Sequence, residues 1–274
     1  MAATDDAGAP EPEPPADSAV YDLELDDIVV RYGHVSAVEG VSMSVGRGAI
    51  VAVLGANGAG KTSLLSAAAG SSVGKVSGSV RLFGQTISIR SAHRVVRAGM
   101  VMVPEGRQVF APLSVEDNLL VGSYVRRRRR KVEQTRDEVY DLFPVLHERR
   151  LAAAGLLSGG EQQMLAFGRA IMSEPRVILM DEPSMGLAPI MVDRVMAALS
   201  AIRDRGASIL VVEQNAAAVL EVADYAYVLE QGNLVHQGPS ETMRDDPVVM
   251  QAFLGLRDEG EPPRGSEVLS THPR

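Results

Sequence analysis

Three short stretches of this chain combine residue types and spacings suited to phosphate chemistry. In the first, Gly55-Ala56-Asn57-Gly58-Ala59-Gly60-Lys61-Thr62 fits the pattern G-x-x-x-x-G-K-[ST], directly after the apolar run Ile50 to Leu54 and before the helix-compatible Ser63 to Ala69. Glycines let such a loop curl until its N–H groups converge on phosphate oxygens, and the following helix N-terminus adds its dipole. The expected phosphate-binding set is Gly55, Asn57, Gly58, Ala59, Gly60, Lys61, Thr62 and Ser63. Lys61 would reach the β- and γ-phosphates of a bound nucleotide, and the Thr62 hydroxyl would bind Mg²⁺. A merely flexible glycine-rich turn is the bland alternative, disfavoured by the strand before and the helix after.

In the second stretch, the apolar run Val177 to Met180 ends in Asp181-Glu182-Pro183, a strand delivering two carboxylates to its carboxyl end. Asp181 is expected to hold Mg²⁺ through water, and Glu182 to position and polarise an attacking water. An acidic turn that simply ends the strand is the alternative. In the third, Leu157-Ser158-Gly159-Gly160-Glu161-Gln162-Gln163, Ser158 and Glu161 have capping-box spacing ahead of a helix whose Met164, Phe167 and Ile171 share a face. Beyond capping, the two glycines free backbone N–H groups for an anion, and Ser158 adds a hydroxyl donor.

The elements that must position these groups are legible in the hydrophobic pattern. Leu23 and Leu25, then Val41, Met43 and Val45, alternate with polar residues and predict half-buried antiparallel strands forming an edge layer. Continuous apolar runs at Ile50 to Leu54, Met100 to Val103, Val177 to Met180 and Ile209 to Val212 predict strands buried on both faces, separated by helices. The fold class is therefore α/β with a mostly parallel sheet, in which ligands bind at the carboxyl ends of strands. From about residue 112 to 163 the strand pattern stops, and Val139, Leu142, Phe143 and Leu146 predict an amphipathic helix within an inserted helical subdomain. Tyr225 to Leu229 and Leu234 to Gln237 flank a predicted hairpin turn at Gly232-Asn233. The block Arg126 to Arg130 reads as a solvated helix end, with contact to anionic lipid headgroups as the functional alternative.

Composition bounds the rest. A chain of 274 residues with 46% hydrophobic content supports one large α/β domain, and a net charge of −8 argues against a dedicated nucleic-acid binder. With no cysteine, disulfides and thiolate metal sites are impossible. No apolar stretch reaches the length of a spanning helix. Residues 1–20, rich in Asp, Glu, Pro and Ala without a basic start or apolar core, read as a disordered tail rather than a secretory signal, and 257–274 have the same character. The folded domain is expected over 21–256.

Leu157 to Gln163 resembles the LSGGQ-like signature of the ABC ATPases, which have a P-loop NTPase (RecA-like) core. The resemblance implies that Ser158, Gly159, Gly160 and Glu161 bind the γ-phosphate held by a partner's P-loop, in a head-to-tail dimer around two ATP molecules. It also implies an adenine-stacking role for Tyr32, with Val38 lining the same pocket, and a catalytic set of Glu182, Lys61 and Gln214. Three positions depart from the common pattern. Glu105 stands where most of the family has the glutamine that contacts Mg²⁺ and the transmembrane partner; Gln214 stands where most have a histidine; Ala188 replaces the aspartate after the second motif.

Together, Pro104-Glu105-Gly106-Arg107, Leu157 to Ala166, Asp181 to Pro189 and Val212-Glu213-Gln214-Asn215 are similar to one ATPase subunit of the branched-chain amino acid importers, over about Tyr21 to Leu256. That resemblance implies a second, non-identical ATPase chain or a second copy of this one, two permease subunits and, indirectly, an extracytoplasmic solute-binding protein. It places the chain at the cytoplasmic face of the membrane. Importers of urea, short amides or other amino acids use near-identical ATPase subunits and remain an alternative at this stage. A non-transport ABC ATPase is disfavoured by the single P-loop and the lack of a sustained heptad run. A P-loop kinase or GTPase is disfavoured by the motif at Ser158 to Gln163.

Overall fold

The two kinds of hydrophobic patterning become two separate sheets in the computed structural model, which describes residues 21–87, 91–125, 129–246 and 249. The expected tails at 1–20 and 257–274, and residues 126–128 of the arginine block, lie outside the described residues. Strands β1 (Tyr21–Tyr32), β2 (Val35–Gly46), β4 (Lys75–Leu82) and β5 (Gln85–Thr86) form an antiparallel sheet in the order β2-β1-β4-β5. Along β1 the buried positions switch from Leu23 and Leu25 to Ile28 and Val30, a change of parity that simple alternation forbids. A bulge supplies the extra residue: Leu25 pairs with Met43 but Ile28 with Val41, and Asp27 takes a φ of 50° while its N–H donates to Ser42 Oγ at 3.0 Å.

The continuous apolar runs form the central sheet. Strands β3 (Ile50–Leu54), β6 (Met100–Val103), β7 (Val177–Asp181), β8 (Ser208–Glu213), β9 (Tyr225–Glu230) and β10 (Asn233–Pro239) lie in the order β10-β9-β3-β8-β7-β6. All are parallel except β10. Every residue of β3, β7 and β8 is buried, as expected of strands covered on both faces. Register carries the functional consequence. Leu54 pairs with Glu213 and Asp181 with Val212, so the carboxyl ends of β3, β7 and β8 finish side by side.

Two local expectations are corrected. Glu230 pairs with Asn233, so the hairpin turn is Gln231-Gly232, both at positive φ (47° and 84°), and Asn233 opens β10. The helix expected through Val139 to Leu146 is two helices, α4 (Arg129–Leu142) and α5 (Pro144–Glu148). Pro144 is the cause: its ring restricts Phe143, whose φ and ψ are −129° and 77°, and its missing N–H is tolerated at the first helical position of α5. Val139, Phe143 and Leu146 are still buried together.

The other helices are α1 (Lys61–Ala68), α2 (Ala92–Ala98), α3 (Val115–Gly122), α6 (Gly159–Ile171), α7 (Pro189–Asp204), α8 (Ala216–Leu220) and α9 (Ser240–Arg244). Gly168 of α6 is where α3, α4 and α5 converge: a Cβ there would stand 2.8 Å from Leu119 and Val139 and 3.4 Å from Leu146. Asn118, fully buried on α3, accepts from Phe110 N–H and donates to the carbonyls of Phe110 and Ser114, holding the loop that enters this helical region. Among the described residues, no helix is long and apolar enough to cross a membrane.

Candidate functional site

The loop between β3 and α1 is shaped by glycines at positions where a side chain would fail. Gly60 sits at φ 102°, and a Cβ on it would lie 2.2 Å from the Ala37 carbonyl; Gly58 is at φ 82° and faces open space. The β9–β10 turn braces the loop from behind, because Gly232 N–H donates to Ala59 O at 3.0 Å and Glu39 N–H donates to Gly232 O at 2.8 Å. Gly60, the N-cap of α1, has no side chain to cap the first turn, so the leading N–H groups of that helix lack a capping acceptor. Asn57 and Gly58 are exposed there, and Ser63 is half-buried beside them. This arrangement is a cradle for an anion.

Lys61 is buried, and its Nζ donates to the carbonyls of Gly55 at 2.8 Å and Ala56 at 3.1 Å. The same Nζ stands 3.2 Å from Glu182 Oε1. Glu182 receives a second donor on its other oxygen, from Gln214 Nε2 at 2.6 Å. β3, β7 and β8 therefore each deliver one member of a bonded chain, Lys61 to Glu182 to Gln214, at the carboxyl edge of the sheet. Glu182 adopts a positive φ of 46°, an unfavourable conformation for a non-glycine residue, and its N–H donates to Val212 O at 2.9 Å. A buried ion pair of this kind adds little net stability, since desolvation offsets most of the attraction. What it does is hold a cation and a carboxylate ready for a charged ligand.

Asp181 is buried at the same edge and accepts from Thr62 Oγ1 at 3.0 Å. Burial pushes its pKa up to about 6, with the charges of Glu182 and Glu105 adding to the shift and the Thr62 hydrogen bond and Lys61 opposing it. A hydroxyl and a carboxylate this close suit a hard divalent cation, which the Thr62 oxygen would ligate directly and Asp181 would hold through water. Among the described residues no group of three or more His, Cys, Asp or Glu side chains could hold a metal. A cation here would accordingly need phosphate and water for its remaining ligands, the usual habit of Mg²⁺.

Tyr32 lies at the end of β1, partly exposed, with its ring against Gly74. Val38, expected beside it in an adenine pocket, is instead fully buried in the core of the antiparallel sheet, where it pairs with Val30. Glu105 is exposed just beyond β6.

Ser158 and Glu161 form the expected capping box: Ser158 N–H donates to Glu161 Oε2 at 2.7 Å and Glu161 N–H to Ser158 Oγ at 3.4 Å. Among the described residues, no hydrogen bond or ion pair joins Ser158, Gly159, Gly160 or Glu161 to the Lys61 cluster. Arg107, quoted above only as part of a motif, and Arg169, which sequence reasoning did not single out, tie this motif to the segment that follows β6. The Arg107 guanidinium covers Gly159, where a Cβ would meet its Nη1 at 2.8 Å, and Arg169 of α6 donates to Gln108 O at 2.7 Å. Gly106, Arg107 and Gln108 all have positive φ (79°, 65° and 42°), a contortion that pairwise spacing in the sequence does not reveal.

Comparison with known proteins agrees with this geometry. The family model described as ABC transporter matches residues 38–185. The high-affinity branched-chain amino acid transport ATP-binding protein BraG of Pseudomonas aeruginosa is 42% identical over 233 residues, covering 85% of this chain and 99% of that protein. The lipopolysaccharide export system ATP-binding protein LptB of Escherichia coli is 34% identical over 236 residues, covering 85% and 97%. Among solved structures, the ADP conformation of an ATP-binding cassette of an ABC transporter superposes with a TM-score of 0.77 at 25% identity, covering 86% of this chain and 99% of that one. With the nucleotide-binding loop and the paired carboxylates in place, the chain belongs to the ABC transporter family and is an ATPase with the P-loop NTPase fold.

Proposed function

We propose that this chain is the ATP-hydrolysing subunit of an importer for branched-chain amino acids, held at the cytoplasmic face of the membrane by two permease subunits. The observation that carries the reading is the 42% identity to BraG over 85% of this chain and 99% of that protein, against 34% to the export protein LptB. The partner in the ATP-bound dimer would be a second, non-identical ATPase. Support comes from BraF of the same organism, which bears the same description as BraG yet is 30% identical to this chain over 249 residues.

In the mechanism, the loop N–H groups of residues 57–63 bind the ATP phosphates, and Lys61 exchanges the Gly55 and Ala56 carbonyls for phosphate oxygens. Moving Lys61 also frees one oxygen of Glu182, while Gln214 keeps hold of the other. Glu182 then presents a carboxylate of fixed orientation to the attacking water. Thr62 and Asp181 would hold Mg²⁺, which supplies charge neutralisation at the phosphates when bound. Tyr32 offers its ring to adenine. Ser158, Gly159 and Gly160 offer their donors to the partner's nucleotide, and Glu161 keeps that helix start in shape. Glu105 and the helical subdomain, about residues 112–163, pass dimer closure to the permeases.

The test is uptake of labelled leucine and, separately, labelled urea by cells lacking this chain. Wild-type chain restoring leucine uptake, with Glu182→Gln failing to restore it, is the expected result. Restored urea uptake without leucine uptake would overturn the substrate while leaving the importer. Mass measurement of the Glu182→Gln chain in ATP and Mg²⁺, with and without the BraF-like chain, decides between a mixed and a self dimer.

A further inference from the structure

Glu213 is a buried ionisable group to which the mechanism above gives no task. It ends β8 with only 2% of its surface exposed, in a strand whose preceding positions are Ile209, Leu210, Val211 and Val212. Nothing about a doubly covered strand calls for a carboxylate there, and burying one is costly unless donors satisfy it. Donors do satisfy it. Oε1 accepts from Ser184 N–H at 2.8 Å and Oε2 from Gln214 N–H at 3.3 Å. Burial raises its pKa, the Ser184 and Gln214 bonds oppose that rise, and the charge of Glu182 adds to it.

These two N–H groups open two different loops. Ser184 follows Glu182 on the turn leaving β7, and Gln214 follows β8 directly. The side chains that must meet, Gln214 Nε2 and Glu182 Oε2, therefore sit on backbones that the Glu213 carboxylate ties to each other from beneath. The tie has something to resist: Glu182 is at positive φ, and beyond Ser184 the exposed Met185 and Gly186 lead away towards solvent. A two-point carboxylate clamp across loops that emerge from adjacent strands fixes distance as well as orientation, because it bridges both ends with one rigid planar group.

We propose that Glu213 is a positioning residue for hydrolysis, clamping the Ser184 and Gln214 backbones so that the Gln214 amide holds the Glu182 carboxylate on the attacking water. The inference rests on the proposed role of Glu182. It predicts an effect on turnover that travels through Gln214, with nucleotide binding left to the separate loop at residues 55–63.

The experiment is a double-mutant cycle in the assembled dimer, measuring kcat and KM for ATP in wild type, Glu213→Gln, Gln214→Ala and the double variant. Glu213→Gln keeps the size but gives one of the two N–H groups an amide NH₂ in place of an acceptor. The expected result is a kcat lowered about tenfold with KM for ATP changed less than about twofold, the scale of one charge-assisted hydrogen bond. The double variant should then be no slower than Gln214→Ala, because the clamp has nothing left to position. Unchanged kcat, losses that multiply in the double variant, or ATP binding that falls in step with kcat would each overturn the proposal. If Glu213→Gln melts below the assay temperature, Glu213→Asp, which keeps the charge on a stem one methylene shorter, runs the same cycle. Glu182→Gln assayed alongside separates the two levels. Full turnover there removes the role of Glu182 and the inference with it, whereas lost turnover beside an unaffected Glu213→Gln removes the inference alone.

Discussion

Gln214 Nε2 lies 2.6 Å from Glu182 Oε2, while Lys61 Nζ lies 3.2 Å from Oε1 of the same carboxylate. Glu182 is thus held on both oxygens before any nucleotide arrives, by one donor that phosphate can draw away and one that it leaves in place. An amide is a neutral donor with no cationic form, unlike an imidazole. Gln214→Ala should lower turnover by roughly 100-fold with nucleotide affinity retained, the lower end of the loss seen when one preorganised donor is removed. Gln214→His should hydrolyse faster than wild type in the assembled dimer. Steady-state ATPase rates of the three chains with the partner ATPase check both, and a Gln214→His chain no faster than wild type would count against slow chemistry at this site.

Asp181 makes stability and cation binding depend on pH. Its folded pKa, about 6, lies above the ordinary value of 3.8, so the folded chain holds this proton more tightly than the unfolded one. Stability from this group is therefore full at low pH and is lost as pH rises from about 4 to about 6, by up to about 3 kcal/mol in all. Asp181→Asn should abolish that slope and unfold at higher denaturant than wild type at pH 7.5, while losing Mg²⁺-dependent hydrolysis. Urea titrations of both chains at pH 5 and pH 7.5 give the comparison; a wild-type chain that gains on Asp181→Asn as pH rises would reverse the sign.

Gly60→Ala tests the loop itself. Its Cβ would press into the Ala37 carbonyl at 2.2 Å in a backbone conformation alanine disfavours. The expected cost is about 2–4 kcal/mol of stability together with loss of nucleotide binding. Gly58→Ala meets no neighbour, and its positive φ alone should cost about 1 kcal/mol. Denaturant midpoints and fluorescent-nucleotide titrations distinguish the two sites.

Ser158→Ala removes the cap of α6 and should cost about 1 kcal/mol of stability. In a mixed dimer its effect on hydrolysis should fall on the partner's nucleotide. Pairing the Ser158→Ala chain with a partner whose own catalytic glutamate is neutralised isolates the site on this chain, which should turn over at the unmodified rate. A slowed rate in that pairing would place Ser158 in the wrong site.

Much of this molecule is local enough to be written in the sequence. The strands β3, β6, β7 and β8 fall on the four apolar runs; β3, β7 and β8 are covered on both faces and have no polar side to disguise them, whereas β6, at the edge of the sheet, is buried only at Met100 and Val103. The loop at residues 55–62 and the capping box at Ser158 and Glu161 are likewise set by neighbours a few positions apart. Tertiary structure decided what depends on register and on direction. Val38 turned into the core because a β2 residue has only two faces and the sheet claimed this one; the split at Pro144, by contrast, is a local effect of the proline that periodicity alone passed over. The bulge at Asp27, the three positive-φ residues at 106–108 and the brace from Gly232 to Ala59 answer to partners far along the chain. So does the bonded chain from Lys61 through Glu182 to Gln214, since hydrogen bonds across residues 61, 182 and 214 exist only once parallel strands lie in one register. The chemistry of the groups is carried by residue type, and their meeting is a property of the sheet.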